Sequence, residues 1–485
     1  MLWRGGGGFG LDGVRCQCYW GSGECWRGYC SAMTDTEALR TKIADLMPGV
    51  LEDLMALARI PSVSALPEHD KDVQASAEAV AELLRAEGAE VKVVAEGGKP
   101  AVIGRVAGPA PVDGKRPARV LLYAHHDVQP AGVESQWASA PFEPQQRGER
   151  LYGRGTADDK AGVMAHLAAL RAFGGKPPVE VIVFVEGEEE SGSPSLPALL
   201  DKYRDELECD VIVLADSSNW AVGTPALTTS LRGNVRLKVT LSTLAHGLHS
   251  GMFGGVVPDA ITTMCRLLGT LHNADGSVAV PGLVSEETSG VDYTAEEIRR
   301  DSSVLDGVEL IGKGTFASRL WLQPTVTVVG FDAPAVEGAA NLLSPSCSAL
   351  LSVRIAPAQD ADAAAAAVTK FLQDNAPWGA QVEVEVEDAA PGSALPASGP
   401  IVDAARSALR SSWGTEPVDA GIGGSIPFVA QFNDTFPEAV VLVTGVEDPD
   451  TRAHSTDEGL HLGDFEHACV AEALMFEKIA QVWKS

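Results

Sequence analysis

The chain has 485 residues, 45% of them hydrophobic and 21% charged, and a formal charge of −29 at pH 7. This composition supports a buried core and excludes wholesale disorder, and at roughly 100–200 residues per domain the length suits two to four domains. A surface this acidic repels phosphate backbones and anionic lipid, and no apolar run approaches the ~20 residues of a membrane-spanning helix, so nucleic-acid and membrane partners are set aside.

Residues 1–32 are rich in Gly, Trp and Cys and show no helix or strand period. Cys16, Cys18, Cys25 and Cys30 have a C-x-C-x6-C-x4-C spacing that matches no ordinary zinc site, and the segment lacks the apolar stretch and cleavage site of a signal peptide. It reads as a disordered tail, with translation expected to begin at Met33. The remaining cysteines, Cys209, Cys265, Cys347 and Cys469, are scattered singly, as in a reduced cytoplasmic protein.

A capping box at Thr34 and Glu37 opens a helix whose apolar residues run from Leu39 to Leu57, expected to break at Pro48. A second helix is expected over Asp72–Glu87, stopped by Gly88. Strands are expected at Val91–Val94, Ala101–Val106, Arg119–Tyr123, Val179–Val185 and Asp210–Leu214, and a helix at Lys160–Phe173. The last three strands are almost wholly apolar, as central parallel strands are, and each is followed by polar residues. In open α/β sheets ligands bind at that edge.

From Val235 the order becomes strand, helix, strand, strand, helix, strand: Val235–Leu241, Asp259–Leu271, Thr325–Val329, Leu350–Arg354, Asp360–Asp374 and Gln381–Val386. The stretch up to Leu320 reads as irregular. This order is that of a small α+β, ferredoxin-like sandwich. Ala389–Gly399 reads as a return linker. α/β character then resumes with helix Ile401–Ser411, strand Ala439–Val443 and a closing helix Phe465–Lys484. The fold expectation is an α/β catalytic domain, a mixed sheet flanked by helices, made of residues 33–230 and 391–485, with an α+β domain of residues 231–390 inserted.

Chemistry-bearing residues stand just after the apolar strands. His125-x-Asp127 pairs an imidazole with a carboxylate that can orient it; His126 reads as a wall residue. Gly153-Arg154-Gly155-Thr156-Ala157-Asp158-Asp159-Lys160 lacks the phosphate-loop pattern, and its adjacent carboxylates would repel phosphate. Glu186-Gly187-Glu188-Glu189-Glu190 sets four carboxylates at the end of a buried strand, where they repel one another unless a cation or shared proton compensates. Asp216 repeats the theme, and His454 supplies a second imidazole. His125, Asp158, Glu190, Asp216 and His454, with one bridging hydroxide, carry about −4, which two divalent cations balance closely enough to permit burial. The donors are nitrogen and oxygen without thiolate, a zinc-like set.

These motifs resemble the dinuclear zinc metallopeptidases that include carnosinases, aminoacylases and succinyl-diaminopimelate desuccinylases, in particular the dipeptidase branch. The resemblance rests on Tyr123–Pro130, Leu151–Lys160, Glu186–Ser193, Leu248–Gly255, Gly423–Pro427 and Ala453–Ser455. It implies that His125 and Asp216 bind one metal, Glu190 and His454 the other, and that Asp158 bridges them through a segment with a cis Asp158–Asp159 peptide. It implies that Asp127 orients His125 and that Glu189 is the general base for a metal-activated water. It further implies that His249 reaches the neighbouring subunit's site to stabilise the oxyanion, that Arg354, with Asn341, grips the substrate carboxylate, and that the inserted domain serves as lid and dimerisation surface. The implied protein is a cytoplasmic homodimeric dipeptidase acting on small peptides with two divalent metal ions, Zn²⁺ first, with Mn²⁺ or Co²⁺ also suited. Gly421-Ile422 depart from the Arg-Glu that often precedes Gly-Gly-Ser-Ile-Pro in that family. This keeps open an N-acyl-amino-acid amidohydrolase or desuccinylase, and a non-catalytic metal-binding protein is the remote alternative.

Overall fold

A computed structural model of the chain describes residues 25–288, 290–424 and 427–484. Cys16 and Cys18 lie outside the described residues, as do the side chains of Cys25 and Cys30. The first helix runs over Cys25–Ala58. It therefore takes in residues expected to be tail, and it passes through Pro48 instead of breaking there. Met47, Val50, Leu54 and Leu57 on both sides of the proline are buried in one apolar cluster, and that packing offsets the hydrogen bond the proline cannot donate.

The main sheet follows the order Glu90–Val94, Ala101–Val106, Glu180–Glu186, Arg119–His125, Val211–Leu214, Val440–Val443, Ala226–Leu231 and Ser393–Ala394, with Val418–Ile422 beside Ala226–Leu231. Arg119–His125 lies parallel to both Glu180–Glu186 and Val211–Leu214, and Val440–Val443 is parallel to Val211–Leu214. Because the central strands are covered on both faces, they read as continuous apolar runs. Val120, Leu122 and Ala124 pack under Leu39–Leu57 and the helices Lys160–Ala172 and Leu462–Lys484. Leu121 and Tyr123 face the other way, among Phe184, Phe428 and Phe432, and the Tyr123 and Phe428 rings stack at 3.8 Å. The result is a mixed α/β sheet flanked by helices.

Residues 233–390 form a separate four-stranded antiparallel sheet, ordered Thr325–Phe331, Ser346–Ile355, Gly233–Ser242, Gln381–Ala390. Helices Ala260–Gly269 and Ala361–Asp374 close its apolar face. Asp259 and Asp360 cap them by accepting from the backbone N–H groups of Thr262 and Ala363.

Several expectations need correction. The stretch before Leu320 contains helices Ala295–Ser302 and Phe316–Trp321, each capped by a threonine. Part of the expected linker is strand, since Gln381–Ala390 runs on and Ser393–Ala394 pairs with Ala226–Leu231. Strands Ala226–Leu231 and Val418–Ile422 and helix Pro427–Thr435 were not anticipated. Cys209, Cys265, Cys347 and Cys469 are unpaired.

The strand ends are held at close quarters. A Cβ on Gly445 would lie 1.4 Å from the Ser217 carbonyl oxygen, next to Asp216. Overpacking of this kind costs about 1–3 kcal/mol or more. Gly445→Ala should lower the thermal midpoint and also weaken divalent-metal binding, both read by thermal unfolding with and without added metal. An unchanged midpoint would show that the contact is slack.

Candidate metal centre and active site

Five chain segments meet at the C-terminal edge of the parallel strands. His125 ends Arg119–His125, Glu190 sits in the turn after Glu180–Glu186, Asp216 follows Val211–Leu214, and His454 lies on the loop after Val440–Val443. Asp158 precedes helix Lys160–Ala172, with a cis peptide to Asp159. The two oxygens of Asp158 face the two imidazoles: Oδ1 is 3.2 Å from His125 Nε2, and Oδ2 is 3.0 Å from His454 Nε2. Asp216 Oδ2 is 3.9 Å from His125 Nε2, and Glu190 Oε2 is 3.2 Å from His454 Nε2.

Asp127 ties two of these segments together. Its Oδ1 lies 3.4 Å from His125 Nδ1, and its carboxylate accepts the backbone N–H groups of Glu189 at 3.2 Å and Glu190 at 3.1 Å. The same nitrogen of His125 is 3.1 Å from the Asp127 carbonyl oxygen, which orients the ring and leaves Nε2 facing Asp158 and Asp216. His126 stands aside, its Nε2 on the Pro100 carbonyl oxygen, and burial lowers its pKa to about 4, so it is a neutral wall residue.

Some supporting residues were not anticipated. Buried Glu458 accepts from the backbone N–H groups of Gly155, Ala157 and Asp158 at 2.9–3.1 Å, and Arg154 Nη1 donates to it at 2.7 Å. That carboxylate shapes the loop that presents Asp158. Arg154 Nη2 also donates to the Ser455 carbonyl at 3.1 Å, which fastens the loop holding His454 in the left-handed region at φ 61°. Nothing in the period around Glu458 marks it, because it lies on an irregular loop. Buried Lys160 donates to the carbonyls of Leu57 and Ile60, joining the first helix to the Asp158 segment.

Asp158, Glu189, Asp216 and His454 line a cavity of about 440 Å³, with Ser218, Tyr293, Leu320, Trp321, Ile422 and Glu447 also on its wall. Gly421 is the close approach that admits Trp321. A Cβ there would come within 2.5 Å of the indole, so an arginine at this position has no room.

Burial, reinforced by Asp216, Glu190 and Asp127 and only partly offset by His125, holds Glu189 well above the carboxylate range. Burial likewise lifts Asp216 to about 7 and raises Glu447, with Asp158 and Asp216 adding to it. For Asp158, burial is outweighed by the adjoining imidazoles of His125 and His454, and its pKa falls. Hydrogen bonds to Asp158 and Glu190 push His454 up to about 11.

These residues fit a divalent cation. His125 Nε2 is buried and has no hydrogen-bond partner, and it is aimed at carboxylate oxygens that donate nothing in return. His125, Asp158 and Glu190 offer ligand atoms all within 4.8 Å of one another. Carboxylates crowded around an imidazole lone pair need protons or metal between them, and the nitrogen–oxygen donor set is that of a borderline or hard cation.

The other expected residues lie elsewhere in a single chain. His249 is exposed at the end of strand Leu248–His249, which pairs with Leu342–Leu343, and Asn341 adjoins that pair and is exposed. Arg354 is half-buried on strand Ser346–Ile355 opposite Asn234. Burial lowers the pKa of Arg232 to about 10 and the Arg354 charge adds to the shift; Arg232 Nε donates to the Gly423 carbonyl on the cavity wall. None of the three lines the cavity.

Residues 121–478 match the profile of peptidase family M20/M25/M40. The chain is 36% identical over 361 residues to a cysteinylglycine-S-conjugate dipeptidase of Corynebacterium striatum, covering 73% of this chain and 79% of that protein. Among solved structures, the di-peptidase Dug1p of Saccharomyces cerevisiae superposes with a TM-score of 0.77 at 24% identity, covering 92% of this chain and 98% of that one. Human carnosine dipeptidase 1 superposes with a TM-score of 0.77 at 24% identity over 92% and 99% of the two chains. These two structures share the fold.

The metal-free site has a pH signature. Asp216 and His454 both bind protons more tightly in the folded chain than in the unfolded one, across about 4 to 7 and about 6.5 to 11 respectively. Stability of the chelated protein is therefore present at low pH and lost as pH rises through those ranges. The thermal midpoint of chelated protein should fall between about pH 5 and pH 9, and added divalent metal should flatten the fall, since metal displaces the protons. A chelated protein with no such fall would refute the electrostatics described.

Proposed function

The chain belongs to peptidase family M20/M25/M40, and we propose that it is a metal-dependent dipeptidase, hydrolysing the peptide bond of dipeptides and short peptides. One observation carries this reading: two imidazoles and three carboxylates from five segments converge in one cluster, of which Asp158, Asp216 and His454 line a single cavity together with Glu189. The names of its relatives point the same way.

In this reading two divalent cations, zinc by the donor set, would be held one by His125 with Asp216 and the other by Glu190 with His454. Asp158 would serve both, since its two oxygens are divided between the two imidazoles. Bound there, the cations supply Lewis acidity to the scissile carbonyl and lower the pKa of water. Glu189 takes the proton of the attacking water and returns it to the leaving amine, a task suited to a carboxyl that burial has made more basic. Asp127 holds both the His125 ring and the backbone of Glu189 and Glu190, so base and ligands keep one geometry.

Residues 33–230 and 391–485 form the catalytic domain in this reading, and 231–390 the lid. A homodimer is supported by the surroundings of exposed His249, where Met252 is 74% and Val256 84% exposed, an apolar surface suited to a second copy. The partner's copy of His249 then completes the oxyanion site, and Arg354 with Asn341 takes the substrate carboxylate. Unpaired Cys209, Cys265, Cys347 and Cys469 support a reducing compartment, the cytoplasm.

Glu189→Gln should keep the wild-type metal content and lose about 10²–10³-fold or more in kcat on dipeptides. Near-normal turnover would refute the base assignment, and full activity after chelation and dialysis would refute the metal. Met252→Asp with Val256→Asp should shift the protein toward monomer in sedimentation and lower activity with it. A monomeric wild type would remove the shared site.

A further inference from the structure

Four carboxylates line the described catalytic cavity: Asp158, Glu189, Asp216 and Glu447. The reading above gives the first three a role and leaves Glu447 without one. Its position is built. Glu447 N–H donates to the Ser217 carbonyl at 3.3 Å, and its own carbonyl accepts from Asn219 N–H at 2.9 Å, so its backbone is laced to the segment that follows Asp216. Its side chain accepts one hydrogen bond, from Ser218 Oγ at 3.0 Å. Among the described residues no ion pair reaches it, and the carboxylates Asp158, Glu189 and Asp216 share its cavity wall.

A half-buried carboxylate in such company lacks a cation. His454 lines the same cavity but pairs with Asp158 and Glu190, not with Glu447, so Glu447 does not repeat the imidazole–carboxylate contacts of the metal-ligand set. The same cavity is lined by Tyr293 and Trp321, which cluster with Trp220 at ring separations of 4.4–6.1 Å. Aromatic faces attract an organic cation. Ile422 and Leu320 add apolar wall without charge. Carboxylate, hydroxyl and aromatic rings together suit an ammonium group, and a dipeptide brings one beside its scissile bond.

We propose that Glu447, oriented by Ser218, receives the free α-ammonium of the substrate and so selects peptides with a free amino terminus over N-acylated amino acids. The proposal rests on the dipeptidase reading and names the residue that enforces it. Rejection of the analogue lacking the amine follows because binding it would leave a desolvated carboxylate unpaired.

The test uses full-length, metal-loaded protein and a pair differing only in the amine: alanylglycine as substrate and propionylglycine as competitor. In Glu447→Gln the KM for alanylglycine should rise about tenfold or more. The inhibition constant of propionylglycine should fall, because the variant no longer leaves a desolvated charge unpaired against it, and metal content and circular dichroism should stay as in the wild type. Glu447→Asp should restore most of the affinity, and Ser218→Ala should give a smaller rise in KM. An unchanged KM, equal weakening of both ligands, or loss of metal from Glu447→Gln would each overturn the assignment while leaving the dipeptidase reading in place. A wild type that cleaves propionylglycine and no member of a dipeptide panel would instead overturn the dipeptidase reading, and this assignment with it.

Discussion

The site depends on a charge problem. Asp127, Asp158, Glu189, Glu190, Asp216 and Glu447 are drawn to one edge of one sheet, largely out of water, and the protein supplies few fixed cations against them. The nearest basic partners are the two imidazoles. Lys160 is turned away onto the carbonyls of Leu57 and Ile60, and Arg154 is spent on Glu458. Isolated buried carboxylates are costly and take up protons instead, which is the direction in which Asp216, Glu189 and Glu447 are pushed. Divalent cations resolve the problem more completely than protons, because they favour every carboxylate at once.

The sheet makes this crowding possible. Arg119–His125, Glu180–Glu186, Val211–Leu214 and Val440–Val443 all run the same way, so their exits are neighbours and a short loop after each delivers one functional group. Buried fully on both faces, the strands are rigid. The loops are then fixed by carboxylates that accept backbone N–H groups: Asp127 for the Glu189–Glu190 turn and Glu458 for the Asp158 loop. An acid that holds backbone donors has its charge satisfied locally, so it positions a ligand without competing for the metal.

The parts legible in the sequence were those with a strong local signal. Continuous apolar runs marked the parallel strands, and the polar residues immediately after them marked the site edge. Thus His125, Asp158, Glu190, Asp216 and His454 stood out together, and the alternation of Val235–Leu241 set off the second sheet. What was missed lacked such a signal. Ala226–Leu231 and Val418–Ile422 contain threonine, serine and glycine and become strand through pairing with segments distant in sequence. Pro48 carries a local stop signal that packing on both sides overrides. Glu458 and Glu447 sit on irregular loops, and their partners are backbone groups or residues more than two hundred positions away. His249, Arg354 and Asn341 came from family resemblance alone, and in one chain they do not reach the cavity.

The cavity wall is composite. The proposed metal ligands and base all come from the segments around the large sheet, whereas Tyr293, Leu320 and Trp321 come from the chain between its two passages into the smaller one. Trp321 rests directly over Gly421, so the two regions touch where the substrate's amino end would lie. The absence of a side chain at 421 and the aliphatic side chain at 422 are therefore not simple losses relative to an Arg-Glu pair. Gly421 makes room for the Trp321 indole, and on the assignment proposed above the negative charge that meets the substrate's amine stands at Glu447 on another loop of the same cavity. A recognition site can thus keep its chemistry while moving its charge to another loop, provided that both loops face the same space.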